Sequence, residues 1–258
     1  MTLVELMLAM TITVMVVGAI GGLTRTVQQG FEYSEGYGIA TQHARVALER
    51  IARNVRRATA SSQFPGCIVV AESVDGERYP DTLVIWRPSG TAANPTGLPI
   101  FSELVVYCPN PADPSQLVEM TKPSDTQTVP AVSDEAAWQS AIDTFKKAAA
   151  TQTVVLSGLL RTCSPSGGTA NLRGAARFET CLRPSDVDWA NYQAGTVTWM
   201  NLPWVQGLYG PKAGLRQTWV RMELQFVPGV DWVASNAAAG QAVPFFGSAA
   251  LYYNLSHP

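Results

Sequence analysis

Residues 1 to 23, MTLVELMLAMTITVMVVGAIGGL, form an almost unbroken apolar run whose single charge is Glu5. As a helix this run is about 35 Å long, enough to cross a hydrocarbon layer of ~30 Å. A carboxylate within such a helix costs roughly 2 to 3 kcal/mol near the bilayer centre and less at its edge, so Glu5 needs a partner. A secretory signal would open on basic residues, whereas the first basic side chain here is Arg25, after the apolar stretch. Read by the positive-inside rule alone, Arg25 would hold the remainder in the cytoplasm, which fits poorly with four cysteines and few charges. Removal of a basic leader would resolve that conflict.

The string Met1-Thr2-Leu3-Val4-Glu5-Leu6-Met7 resembles the mature amino terminus of type IV pilins and of the pseudopilins of type II secretion. The resemblance implies a short leader ending in glycine, cut by a prepilin peptidase that also methylates the new amine on Met1. It further implies that Glu5 binds the terminal amine of a neighbouring subunit during assembly. Between apolar helices screening is weak and an unpaired charge is costly, so such a pair would select register. The alternative is an anchor helix whose Glu5 snorkels to the membrane surface. Gly18, Gly21 and Gly22 fall in the second half of the run. Gly18 and Gly22 have the small-xxx-small spacing of close helix contacts, while three glycines also weaken the helix enough to let it unwind locally on leaving a bilayer.

Beyond the polar, glycine-punctuated stretch 24–38, Ile39, His43, Val46, Ala47, Ile51, Val55 and Ala58 recur at steps of three and four and predict a stripe facing a core. His43 reads as a packed edge residue. Arg45, Glu49, Arg50, Arg53, Arg56 and Arg57 lie on the opposite surface, which reads as a solvated face meeting acidic neighbours in an assembly rather than as a nucleic-acid patch. Residues 1–60 therefore form one spine helix, apolar over 1–23 and amphipathic over 39–60.

Residues 61–258 have the grain of a β-rich domain. Asp81 to Trp86, Glu103 to Tyr107 and the alternating Thr218 to Val227 read as strands, with Val220, Met222, Leu224 and Phe226 on one face of the last. Thr153 to Arg161, Thr196 to Met200 and Gly247 to Asn254 are further candidates. A helix is expected over 134–150, capped by Ser133 and carrying Trp138, Ile142, Phe145 and Ala149 on one stripe. The stretch 109–130, dense in Pro, Ser, Thr and Asp, reads as an exposed loop. The fold class is α+β: a long amino-terminal helix packed on an antiparallel β-rich domain.

Cys67, Cys108, Cys163 and Cys181 allow three pairings and show no metal or redox spacing. Outside the cytoplasm, Cys163 with Cys181 and Cys67 with Cys108 are the expected disulfides. No nucleotide loop, zinc-protease helix or serine elbow is present, and the two histidines, His43 and His257, are far apart in sequence. Asp186 and Asp188 match only a fragment of a calcium loop, so no cofactor is expected, with calcium a minor possibility. A net charge of −2 gives no general pull towards nucleic acid.

What the resemblance implies is a structural, non-enzymatic subunit. It would sit singly in the inner membrane before assembly and in an extracellular filament, or a periplasmic pseudopilus, afterwards. Its partners would be itself, other pilins, the prepilin peptidase and the assembly platform. The alternatives are a minor pilin or pseudopilin at a filament tip, or a membrane-anchored extracytoplasmic enzyme or adhesin.

Overall fold

The computed structural model describes residues 2–74, 76–147, 151–164, 172–202, 215–227 and 242–254. One helix, α1 (Leu3–Arg56), runs unbroken for 54 residues, about 80 Å at 1.5 Å per residue. Among the described residues its buried side chains all lie from Ala40 onward. Ala40, Ala44, Ala47, Ile51 and Val55 are fully buried there, and four of these five are alanine or valine, small side chains that let the helix lie close to the sheets.

Five strands follow as an antiparallel meander: β1 (Cys67–Val74), β2 (Glu77–Trp86), β3 (Leu104–Pro109), β4 (Leu117–Thr121) and β5 (Thr151–Leu156). β3 and the second half of β2, from Asp81 to Trp86, are buried on both faces. Leu83, Ile85, Val105 and Tyr107 point to α1, and Val84, Trp86, Leu104, Val106 and Cys108 point to α2 (Glu135–Lys147). Such a doubly covered strand loses polar alternation, which is why these segments read as continuous apolar runs in the sequence. The short pair β6 (Thr162–Cys163) and β7 (Arg173–Gly174) leads to β8 (Ala176–Arg183), the helix α3 (Asp186–Gln193), β9 (Leu215–Phe226) and β10 (Val243–Asn254). β8, β9 and β10 form a second antiparallel sheet in the order β10-β9-β8. Its Val220, Met222, Leu224 and Phe226 join the core under α1, as the alternation of β9 predicts. Gly247 in β10 lies under Leu48 of α1; a Cβ there would come 3.1 Å from Leu48 Cδ2, so glycine sets how closely helix and strand approach.

The architecture is the expected α+β one, with corrections in detail. The second half of the predicted α1 stripe holds, with Ala47, Ile51 and Val55 buried and Ala58 packed against the core, but its first half is rotated: Ala40 and Ala44 are buried, while Ile39, His43 and Val46 are exposed. The stretch 109–130 is not simply an exposed loop, because β4 lies inside it with Leu117, Val118 and Met120 buried; flanking prolines and aspartates masked a five-residue strand. Thr196 to Met200 is not a strand. Trp199–Asn201 is a single 3-10 turn that packs Trp199 edge-on against Trp189. β5 ends at Leu156, five residues before the predicted limit. Asp134, not Ser133, caps α2, its Oδ1 accepting from the Ala137 N–H at 3.0 Å; residues 148–150 lie outside the described residues. β10 begins four residues earlier than expected, at Val243.

Both expected disulfides are corrected, since all four cysteines are free. Cys67 faces the α1 side of the five-stranded sheet and Cys108 the α2 side, so the sheet itself separates them. Cys163 lies two residues beyond Arg161, whose N–H bonds the Gln225 carbonyl, whereas Cys181 faces Trp219. Those two landmarks on β9 are about 20 Å apart at 3.3 Å per residue, well beyond disulfide reach.

Candidate assembly surface

Met1 lies outside the described residues; Thr2 and Glu5 do not. Glu5 closes a capping box: its Oε2 accepts the Thr2 N–H at 2.7 Å, and its own N–H reaches Thr2 Oγ1 at 3.4 Å. Two orphan donors of the first turn are thus satisfied within the chain. The carboxylate keeps free acceptor sites, since an ionised carboxylate offers about four lone-pair sites.

From Leu3 to Ile39 every apolar side chain of any size is exposed, among them Leu3 (77%), Val14 (70%) and Phe31 (72%). The helix contains a window of mean hydropathy 2.3, none of it buried, and is long and apolar enough to cross a membrane. Its polar groups suit such surroundings. The hydroxyls of Thr11 and Thr13 donate to the carbonyls of Met7 and Ala9, each at 2.8 Å, so neither exposes an unsatisfied donor to hydrocarbon. Gly18, Gly21 and Gly22 are helical, and nothing lies within 4 Å of a Cβ built on any of them. They form a bare strip on an already bare helix.

The root of the helix is fixed by polar contacts that sequence reasoning missed. Arg50 Nε donates to Glu119 Oε2 at 2.8 Å, Tyr107 Oη donates to the same oxygen at 2.5 Å, and Asn54 Nδ2 donates to Tyr107 Oη at 2.5 Å. Arg87 Nη1 completes the chain on Asn54 Oδ1 at 2.8 Å. Burial works to raise the Glu119 carboxyl, but the hydrogen bonds from Arg50 and Tyr107 outweigh it and hold the group below its ordinary range. Arg50 is therefore no free member of the solvated basic face. The signal that could have revealed this network is Asn54 itself, an amide on the buried stripe between Ile51 and Val55, which demands partners.

A second ion cluster ties α2 to the sheet. Arg173 bridges Glu72 at 2.8 Å and Asp81 at 3.1 Å, and Lys146 lies 3.3 Å from Glu72. The Arg173 hydrogen bond holds Glu72 at about 2, while burial pushes Asp81 up. A cavity of about 350 Å³ opens beside this cluster. Asp186 pairs with Arg216 and Asp188 with the Ser185 hydroxyl, so both aspartates are spent locally. Among the described residues no group of three metal-ligating side chains converges. His43 is exposed, and His257 is outside the described residues. Burial pushes the Cys108 thiol up to about 12 and the Cys67 thiol up as well, which leaves neither a nucleophile.

Comparison with protein-family models, with curated proteins and with solved structures found no match.

Proposed function

We propose that this chain is a structural subunit of a type IV pilus-like filament. It is held in the inner membrane by the apolar half of α1, then withdrawn and stacked through that half with its β-rich domain outward. The observation that carries the reading is the helix. Some 37 residues project beyond the domain with their apolar side chains uncovered, and the one acid near the start, Glu5, is exposed among them. A solvated monomer would not leave such a surface bare, and the window is long enough for either lipid or neighbouring helices to cover it. No reaction is assigned to the chain. Its partners in this reading are further copies, other pilins, the peptidase that processes Met1 and the assembly platform; Glu5 exchanges its contact with Thr2 for a neighbour's terminal amine.

The test is to shear the cell surface, image the released fibres and quantify the chain and its amino-terminal peptide by mass spectrometry. Abundant chain in fibres with a methylated Met1 supports a major subunit. A trace beside a dominant subunit makes it a minor or tip component, and an unmethylated chain confined to membranes defeats the filament reading.

A further inference from the structure

Resting on the filament reading, we propose that the stripe of α1 turned away from the domain sets the register between copies. The carboxylates of Glu32 and Glu35 in one copy meet the guanidinium groups of Arg53 and Arg57 in a second, parallel copy displaced about 30 Å along the helix axis. Glu35, Ile39, Gln42, Val46, Arg53 and Arg57 follow one another at steps of four, three, four, seven and four, which places them on one face; Glu32 lies one turn before Glu35. This face is turned away from the buried row Ala40, Ala44, Ala47, Ile51 and Val55, and all seven of its side chains are exposed. Read from the amino end, it presents two acids, then two bare apolar side chains (Ile39, 45% exposed, and Val46, 65%), then two bases.

None of the four charges has an ion-pair partner among the described residues, although their neighbours do: Arg50 is spent on Glu119 and Arg56 on Glu49. The acids stand 21 or 22 positions before the bases, a displacement of about 30 Å at 1.5 Å per residue. An acid pair on α1 and a basic pair at its end, Arg53 and the C-cap residue Arg57, are too far apart to meet within one chain, but can pair between copies. Antiparallel copies would bring the same side chains together, but copies anchored in one membrane by the same end run parallel. Once neighbours exclude water from the stripe, an unmatched charge becomes costly, so the pairs select one displacement over others.

The test uses the full chain expressed in filament-forming cells. Reversing the acids (Glu32→Lys with Glu35→Lys) or the bases (Arg53→Glu with Arg57→Glu) is expected to lower sheared fibre yield about ten-fold or more, with chain level and helix content unchanged. Combining the two reversals is expected to restore it. In the same fibres, a Glu35→Cys, Arg57→Cys chain is expected to cross-link between copies, whereas Gln42→Cys, Val46→Cys, which only antiparallel copies could join, is not. Fibres at normal yield from either reversal, failure of the combined variant to recover, or cross-linking only at positions 42 and 46 would overturn the register while leaving the filament reading standing. Absence of fibres from the unaltered chain would overturn both.

Discussion

The two halves of α1 share one backbone and have opposite surroundings. Among the described residues no side chain of the helix from Leu3 to Ile39 is buried, whereas from Ala40 to Val55 it supplies a full row of the domain core. The difference lies in side-chain size and pattern. Over Leu3 to Leu23 the first half is apolar all round, as expected of a helix covered on every side by lipid or by other helices, and a polar stretch, 24–38, joins it to the second. The second carries small residues on one narrow stripe and charges elsewhere, the pattern of a helix that meets a single folded surface. The teaching is that continuous helical hydrogen bonding says nothing about stability of position: one half is held by packing, the other by whatever surrounds it.

The sharpest way to break the comparison is to sever the halves. Removing residues 1–29 is expected to abolish membrane association completely and to leave a soluble monomer whose unfolding transition is unchanged, read by flotation and thermal denaturation. A lowered transition would mean that the exposed half contributes to the domain. Next in size, Ile51→Asp buries an unpaired charge in the core and should cost about 3 to 5 kcal/mol, enough to unfold many domains of this kind. Val14→Asp, at an exposed position of the first half, should leave domain unfolding untouched while weakening membrane insertion. Asn54→Ala removes the link between Tyr107 and Arg87 and should cost about 1 to 3 kcal/mol in denaturant unfolding of the truncated domain. A cost near zero would make the root network dispensable.

A smaller effect concerns acid. Glu72 is held at about 2, below its unfolded value, so its contribution is complete above the unfolded value and fades as pH falls towards 2. Asp81, raised by burial, works the other way, its folded form gaining from protonation as pH falls. Domain stability should therefore decline on acidification from about pH 5, and Glu72→Gln should flatten that decline. An unchanged slope would remove Glu72 from the account. Smallest of all, Gly21→Ala should raise the helix content of the detergent-bound chain, worth up to about 1 kcal/mol locally, without moving the domain transition.

Much of this was legible in the sequence, and its failures are instructive. The apolar run was readable from its unbroken length, and the amphipathic part of the spine helix and the strand β9 because each carries a periodicity over ten residues or more. The five-residue strand β4 was not, since so short a run between prolines has no period to detect. The helix stripe was right from Ala47 through Ile51 to Val55 but misplaced before it, because Ile39, His43 and Val46 look like core residues at core spacing, while the buried Ala40 and Ala44 look neutral. The cysteine pairing failed for a topological reason: spacing along the chain does not tell on which face of a sheet a thiol lies.

The sequence by itself therefore determined the division of the molecule: an exposed apolar helix with an acid near its start, an amphipathic continuation and a β-rich domain of mixed polarity. These are local properties, set by which side chains recur along a helix or strand. Only the tertiary structure decided which row of α1 is buried, that Arg50, Asn54, Tyr107, Arg87 and Glu119 form one chain of contacts, and that the four thiols stay apart. Those are relations between segments distant in sequence, fixed by how two sheets and a helix exclude water together, and no local pattern encodes them.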